Sequence, residues 1–190
     1  MLGVVLAGGR SRRMGQDKSL LTLPSGLTQA EHAEQLLYQS GCSQVVICGP
    51  HPGWLPDRLP NLGPLGAIET VMHKMRPDKM LVIPVDMPML TPALLRRLRT
   101  RPPKGKARIF RGFPLPILLS VTPECKKIIR RLLEQPEPRK RSLKTLLEHI
   151  DHTELKISEI EQKQLQNINT PEQWEEIYQR LARRGQQHGS

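Results

Sequence analysis

The chain of 190 residues is long enough for one ordinary domain with a sizeable core. Aromatic residues make up only 3% of it, so the core has to be built mainly from Leu, Val, Ile and Met. No apolar run approaches the roughly 18 residues that a membrane-spanning helix needs, and three cysteines without a C-x-x-C pair argue against disulfides and zinc. Because the sequence enters a glycine motif directly, we expect no signal peptide and a cytoplasmic location.

The formal net charge of +11 is concentrated in one part of the chain. Residues 96–144 hold sixteen Lys and Arg against three Asp and Glu. A basic block of this kind favours a polyanionic partner, either nucleic acid or a phosphorylated small molecule. The alternative is an ordinary solvated basic face.

The first half of the chain alternates apolar runs with helical patterns. Short continuous apolar runs predict buried strands over residues 2–6, 44–48 and 80–85. Helical patterns follow these runs, from the cap Thr28 to about Ser40, over 67–75, and from the cap Thr91 to about Leu98. This repeated alternation predicts an α/β fold, a three-layer sandwich in which helices cover a mostly parallel central sheet.

The second half is less regular. Strand candidates span 107–111 and 115–121, and Pro116 would confine part of the second candidate to a sheet edge, because proline cannot donate to a ladder. The remaining predicted elements are helices over 123–133 and 142–150, a short strand over 165–168 and a helix from Thr170 to about Arg183. No linker divides the chain, so we expect a single domain over 1–190 that ends in a frayed tail at 185–190.

A candidate phosphate loop follows the first strand, in the stretch LAGGRSRRMGQDK of residues 6–18. A buried strand that leads into glycines lets backbone N–H groups approach a phosphate, because no Cβ stands in the way. The arginines and Lys18 supply charge to the same anion. Gly9 and Gly15 are separated by five residues and Lys18 follows Asp17, so neither the Walker A loop nor the dinucleotide fingerprint is present. The alternative is a glycine turn followed by a basic surface loop.

An acidic residue, Asp86, follows the third predicted strand. Open α/β sheets bind ligands at the carboxyl ends of their strands, so the glycine loop and Asp86 should line one crevice. A nucleotide with Mg²⁺ satisfies both, because a carboxylate holds the hard metal and the metal bridges phosphate oxygens. The alternatives are that Asp86 only caps the turn before Pro88 and that Asp17 only orients Lys18.

Four motifs resemble the molybdenum cofactor guanylyltransferase family: the glycine stretch that ends in Asp17-Lys18, Gly63-Pro64-Leu65-Gly66, Val85-Asp86-Met87-Pro88 and Asn167-Ile168-Asn169-Thr170-Pro171. The resemblance spans almost the whole chain and is strongest over residues 3–92. It implies a Rossmann-like nucleotidyltransferase of the glycosyltransferase-A type. Residues 1–100 would form its nucleotide-binding half and residues 101–184 its acceptor-binding half.

The resemblance also implies roles for individual residues. Those at the nucleotide would be Leu6, Ala7, Gly8, Gly9, Lys18, Cys48, Asp57, Pro64, Leu65, Gly66 and Asp86. Arg13 and Lys18 would hold the phosphates, and with the Mg²⁺ ligand Asp86 they would be the catalytic residues. Asn169 would line the acceptor side. The basic block, and not the resemblance, offers Arg111, Arg139, Lys140 and Arg141 as residues that would receive an anionic acceptor, of which we expect Arg111 and Arg141 to bind it.

The implied reaction is attack by the terminal phosphate of molybdopterin on the α-phosphorus of GTP, which gives the guanine dinucleotide cofactor and pyrophosphate. No protein nucleophile is required, because such transfers depend mostly on positioning and charge stabilisation. The implied cofactor is Mg²⁺, and the implied partners are GTP and molybdopterin, with molybdoenzyme maturation proteins as a further class. Neither a membrane nor a nucleic acid is expected as a partner.

Two classes of alternative stay open. Cys48 stands where family members often carry Asn, and a thiol cannot donate and accept as an amide does, so the same fold could use CTP or another acceptor such as a sugar phosphate. Sugar-phosphate enzymes usually carry a larger acceptor region than 190 residues allow. The second class is a non-catalytic nucleotide- or nucleic-acid-binding protein, against which stand the few aromatics for base stacking and the lack of a recognised nucleic-acid signature.

Overall fold

A mixed six-stranded sheet forms the centre of the computed structural model, which describes residues 1–8, 17–99 and 106–187, with side chains up to residue 183. The strands are β1 (Leu2–Leu6), β2 (Gln44–Cys48), β3 (Lys79–Pro84), β4 (Ala107–Phe110), β5 (Phe113–Ser120) and β6 (His152–Leu155). Their order across the sheet is β2-β1-β3-β5-β4-β6. Only β5 among them runs against the others, since it pairs antiparallel with both β3 and β4 while the remaining pairs are parallel. The predicted mostly parallel sheet is confirmed.

Helices lie between and after these strands. They are α1 (Gln29–Gln39), α2 (Gly63–Met75), α3 (Pro92–Arg97), α4 (Pro123–Leu133), α5 (Leu143–His149), α6 (Glu159–Gln164) and α7 (Pro171–Gln187). The predicted capping box of α1 is present, because Thr28 Oγ1 accepts from the Glu31 N–H and the Glu31 carboxylate accepts from the Thr28 N–H at 2.7 Å. Helix α2 begins at Gly63, earlier than predicted, with Pro64 in its first turn. None of the described helices is long and apolar enough to cross a membrane.

Two hydrophobic cores lie on opposite faces of the sheet. Val4 and Val82 belong to the core under α2, α4 and α5, whereas the neighbouring Val5 and Leu81 belong to the core under α1 and α3. Alternate side chains of a strand point to opposite faces, so β1 and β3 contribute to both cores. All four side chains are fully buried. This arrangement of helices, sheet and helices confirms the predicted three-layer sandwich.

Strand β5 as a whole lies in the middle of the sheet, whereas the prediction placed the part of it at Pro116 on an edge. Strand β3 pairs only with Ile117–Ser120 of β5, and the register between β4 and β5 shifts at Ile109/Phe110. Pro116 therefore lies beyond the rungs to β3 and beside a bulge opposite β4. A proline is tolerated there because this position does not need a backbone N–H to donate to a neighbouring strand.

The segment before α7 also differs from its prediction. Residues 165–168 form no strand, although Leu165 and Ile168 are buried as their apolar character requires. Ile168 instead donates its N–H to the Asp86 carbonyl oxygen at 2.9 Å, outside the ladder of the sheet. The sixth strand is β6 (His152–Leu155) at the sheet edge, in which only Leu155 is apolar, so it gives no apolar run to detect.

An ion pair fixes the long loop between β2 and α2 to the helix that follows it. Arg58 donates from Nη2 to Glu69 Oε1 at 2.7 Å and from Nε to Glu69 Oε2 at 3.3 Å. Its backbone N–H also donates to Thr70 Oγ1 at 3.0 Å. The Glu69 side chain is only 4% exposed, so Arg58 neutralises a carboxylate that water cannot reach. The loop position next to Arg58, Asp57, is fixed by the same contacts.

We predict that Arg58→Leu lowers the free energy of unfolding by about 3 kcal/mol, because it leaves the buried Glu69 carboxylate unpaired. Denaturant unfolding measures this change. The exposed Arg131→Leu is the matched control and should change stability by less than about 0.5 kcal/mol. Adding Glu69→Gln to Arg58→Leu should restore most of the loss; a double variant as unstable as the single one contradicts the ion-pair explanation.

Candidate active site

A cleft of about 640 Å³ lies at the carboxyl ends of β1 and β3. The end of β1, the turn at 17–19, the entry to α2, the end of β3 and the segment before α7 all contribute to its walls. Parallel strands end at a common edge of the sheet, which is why distant parts of the sequence meet there. Of the residues predicted at the nucleotide, the cleft brings together Leu6, Ala7, Gly8, Lys18, Asp57, Pro64 and Asp86.

Lys18 is held at both its backbone and its ammonium group. Its carbonyl oxygen accepts from Nε2 of the buried Gln29 at 3.0 Å. Its Nζ donates to the Ile168 carbonyl oxygen and to Asn169 Oδ1, the latter at 3.1 Å. The segment before α7 therefore fixes a cation at the cleft through contacts that span 150 positions of the sequence. The Lys18 ammonium is therefore preorganised to bind an anion in the cleft.

Asp86 places a carboxylate at the same cleft. Its Oδ1 is buried and has no hydrogen-bond partner within the described part of the chain. Burial raises the pKa of Asp86 above its usual range, although the Lys18 ammonium acts in the opposite direction. A buried carboxylate oxygen without a partner is costly, and a cation in the cleft would compensate it.

The carboxylate of Asp86 fits a magnesium ion whose remaining ligands come from the substrate. Among residues 1–8, 17–99 and 106–187, no three His, Cys, Asp or Glu side chains cluster closely enough to hold a metal ion on their own. Mg²⁺ bound with nucleotides typically uses one or two carboxylates and takes its other ligands from phosphates and water. The unpartnered Oδ1 of Asp86 is therefore the residue atom that would hold the metal.

Asp57 faces the backbone at the end of β1. A Cβ on Gly8 would lie 3.8 Å from Asp57 Oδ2, which is ordinary van der Waals contact, so the Asp57 carboxylate lies next to the backbone that follows β1. Burial raises the pKa of the Asp57 carboxyl above its usual range. Because Arg58 anchors the loop to α2, this carboxylate is presented to the cleft from a fixed backbone.

Three residues predicted at the nucleotide do not line the cleft. Cys48 is 1% exposed and belongs to a hydrophobic core, where burial raises the pKa of its thiol to about 12. Leu65 is fully buried in the same core. Gly66 packs against the loop before α2, because a Cβ there would lie 2.8 Å from Leu62 Cβ. Cys48, Leu65 and Gly66 thus pack behind the residues that line the cleft. A direct role for them at the nucleotide stays a prediction. Gly9 and Arg13 lie outside the described residues.

A second pocket of about 550 Å³ adjoins the cleft and shares four of its lining residues, Pro84, Leu115, Asn167 and Asn169. Its further polar lining includes Lys163, Gln173 and Arg180, and the last of these pairs with Glu176 at 2.6 Å. Asn169, which was predicted on the acceptor side, lies in the wall between the two pockets. Arg111 and Arg141 line neither pocket, and Arg111 Nε lies 3.5 Å from Glu154 Oε2.

Sequence reasoning missed several groups around the cleft. Asn61 and Asn167 line it, and His51 contacts Asp17 through Nε2 at 2.8 Å. Asn167 carried a signal, because it stands with Asn169 in one motif ahead of a capped helix. His51 carried none, since a contact across 34 positions depends on how the loop after β2 folds back.

Comparison with known proteins agrees with this geometry. The model of the MobA-like NTP transferase domain matches residues 3–153. The molybdenum cofactor guanylyltransferase of Xanthomonas euvesicatoria is 36% identical over 178 residues, which covers 92% of this chain and 93% of that protein. The probable molybdenum cofactor guanylyltransferase of Chloroflexus aggregans is 35% identical and covers 90% of both chains.

Solved structures show the same fold at lower identity. The molybdopterin-guanine dinucleotide biosynthesis protein A of Archaeoglobus fulgidus superposes with a TM-score of 0.72 at 19% identity, over 98% of this chain and 100% of that one. A Mycobacterium tuberculosis protein solved in complex with manganese gives a TM-score of 0.62 at 18% identity, over 94% and 97% of the two chains. At such identities the likeness concerns the fold alone.

The fold and the cleft define a nucleotidyltransferase, in which a fixed cation and a carboxylate face one site at the strand ends. The chain belongs to the MobA-like NTP transferase family, within which its curated relatives are molybdenum cofactor guanylyltransferases.

We predict that Asp86→Asn stabilises the protein in the absence of metal and nucleotide. The folded-state pKa of Asp86 is raised, so the folded protein resists ionising this group, and wild type loses stability as pH rises from the usual value near 3.8 through the raised one. The advantage of Asn should therefore be absent at low pH and reach a plateau above the raised pKa. Thermal melts across pH measure it.

The exposed Asp78→Asn serves as the matched control for this measurement, since Asp78 lies at the surface before β3. An Asp86→Asn protein that is less stable than wild type near neutral pH would show that the carboxylate has a stabilising partner, and it would remove the argument for a metal ligand.

Proposed function

We propose that this enzyme transfers GMP from Mg²⁺–GTP to the terminal phosphate of molybdopterin, with the guanine dinucleotide cofactor and pyrophosphate as products. The observation that carries the proposal is that the fixed Lys18 ammonium and a carboxylate oxygen of Asp86, which has no partner among the described residues, line one cleft. Membership of a family whose curated relatives are named guanylyltransferases supports it.

Lys18 binds the phosphates in this proposal. In the ligand-free protein its ammonium is satisfied by Ile168 and Asn169, and phosphate oxygens become further acceptors for its three donors. The ammonium then stabilises negative charge that develops as pyrophosphate leaves. Arg13 and Gly9 are proposed as its neighbours in the phosphate loop. When bound at Asp86, Mg²⁺ supplies charge neutralisation and a template for the phosphate oxygens.

Asp57 is proposed to favour guanine over cytosine. Guanine presents two adjacent N–H donors on its Watson–Crick edge, and a carboxylate can accept both at once. Cytosine presents one donor beside acceptors, so it would leave part of the carboxylate unpaired. The place of Asp57 in the cleft lining beside Gly8 and its partial burial support this placement, because two donors would compensate the cost of burial.

The acceptor is proposed to bind in the adjoining pocket. The described lining carries two cations, Lys163 and Arg180, against the carboxylate of Glu176, which leaves a net positive charge for an anionic acceptor. Met87, Phe113 and Ile177 supply apolar walls for its ring system. Asn169, in the wall between the pockets, would meet the acceptor phosphate near the α-phosphorus. Arg111 and Arg141 line neither pocket, so the role proposed for them is attraction of the anion from solvent.

The wider setting is proposed on the same basis. The chain would act as one nucleotidyltransferase domain in the cytoplasm, with residues 1–100 binding the nucleotide and residues 101–184 binding the acceptor. Molybdoenzyme maturation proteins would receive the product. The use of CTP is the competing function. Cys48, which stands where the family resemblance places an amide, lies in the core and outside the cleft lining, so the nucleotide has to be identified by experiment.

We predict that Mg²⁺–GTP stabilises the protein more than the Mg²⁺ complexes of CTP, ATP or UTP. A ligand at about one hundred times its Kd adds about 2.7 kcal/mol, which a thermal melt resolves easily. The Asp57→Ala variant should lose the preference while retaining a general response to nucleotides. Equal shifts with all four nucleotides, or a larger shift with CTP, would exclude the guanylyl assignment.

The product identifies the reaction directly. Incubation with molybdopterin, Mg²⁺ and each nucleotide, followed by mass analysis, should yield the guanine dinucleotide from GTP together with one pyrophosphate per product. Asp86→Asn should reduce this yield at least about a hundredfold, since the metal position is lost while the fold is kept. A dinucleotide formed from CTP instead would support the competing function, and undiminished turnover by Asp86→Asn would remove Asp86 from the metal role.

A further inference from the structure

His51 contacts the phosphate-binding segment without lining the cleft. Its Nε2 lies 2.8 Å from Asp17 Oδ2, and Asp17 is the residue that precedes Lys18. Asp17, Lys18 and Ser19 all line the cleft, and His51 does not. The histidine is therefore placed to act on the site through Asp17.

Asp17 is engaged on both carboxylate oxygens. Its Oδ1 accepts from the Ser19 hydroxyl at 2.5 Å and from the Ser19 N–H at 2.9 Å, which caps the short turn that contains Lys18. Oδ2 is left for His51. Burial raises the pKa of Asp17, but the hydrogen bonds from Ser19 and His51 outweigh that effect and hold the pKa below its usual range. The carboxylate thus links the Lys18 turn to the loop after β2.

The position of His51 is fixed by packing against Trp54. Its ring packs edge-on against Trp54, with centroids 4.7 Å apart and an interplanar angle of 83°. The Trp54 ring lies over Gly49, where a Cβ would come within 2.6 Å of it. Leu55 next to it donates to the Ile47 carbonyl oxygen at 2.8 Å and accepts from Gly49 at 3.0 Å, so this segment is bonded to the end of β2.

We propose that His51 is a positioning residue for phosphate binding: through Asp17 it ties the Lys18 turn to the end of β2 and so keeps the Lys18 ammonium aimed into the cleft. This inference rests on the proposed function only in taking the cleft as a phosphate site. Gln29 on α1 holds the Lys18 carbonyl oxygen, and Asn169 holds the Lys18 ammonium. His51 adds a third restraint, because it holds Asp17, the residue before Lys18. Loss of this tie lets Lys18 depart from the geometry that catalysis needs.

The test separates the hydrogen bond of His51 from its packing. His51→Phe keeps a ring against Trp54 and removes the bond, whereas His51→Gln keeps a side-chain N–H donor at the position of Nε2. We expect His51→Phe to lower kcat for pyrophosphate release about tenfold with a smaller change in the KM for GTP, since misplacement acts mainly on the transition state. His51→Gln should retain most of the activity. The exposed His73→Phe is the matched control and should behave as wild type.

A second readout does not depend on the base, the acceptor or turnover. Calorimetric titration with Mg²⁺–pyrophosphate reports phosphate binding alone, and we expect His51→Phe to weaken it several-fold while His51→Gln does not. In an Asp17→Asn background, His51→Phe should have no further effect, because the partner is already changed. Failure of wild type to use GTP with intact pyrophosphate binding would count against the proposed function only. Equal pyrophosphate affinities for wild type and His51→Phe, or no binding by wild type, would overturn the role of His51.

Discussion

The contact between Lys18 and the segment before α7 is the interaction on which the site depends. The ammonium group is bonded to Ile168 and Asn169, and the same segment is bonded to the end of β3 through the Ile168 N–H and the Asp86 carbonyl oxygen. One short stretch thus sets the distance between the cation after β1 and the carboxylate after β3. Without it, the two strand ends would define an open edge of a sheet, and the cleft would lack its third wall.

The sheet topology explains why the second half of the chain can reach this edge. Because β5 runs against its neighbours, its first residues lie at the edge where β1, β3 and β4 end, and Leu115 joins both pocket walls. The bulge opposite β4 accommodates Pro116 at that place. The apolar residues of β5 further along the strand serve both cores, so one strand provides sheet continuity and part of the site.

The local signals of the first half were sufficient to predict its elements and most of its site. Continuous apolar runs predict β1, β2 and β3, and the rule that ligands bind at strand ends predicts that Lys18 and Asp86 line one cleft, as they do. Prediction failed where a signal was not local. The polar edge strand β6 has no periodic apolar pattern, and Pro116 gives no indication in the sequence that a bulge will accommodate it. Cys48 and Leu65 were placed at the nucleotide by motif position, but the side-chain direction that decides between core and cleft depends on packing. The contact of His51 with Asp17 depends on a loop that folds back on β2.

The shared wall at Asn169 links the two binding events thermodynamically. Asn169 accepts from Lys18 on one side and lines the adjoining pocket on the other. In the proposed function, a phosphate that shares the Lys18 ammonium with Asn169 would weaken this hydrogen bond and so change how the amide oxygen meets a ligand in the second pocket. Linkage requires the reverse effect to be equal in free energy, so whichever ligand binds second reports on the first. The one asparagine side chain in the shared wall would therefore couple the two pockets without favouring either order of binding.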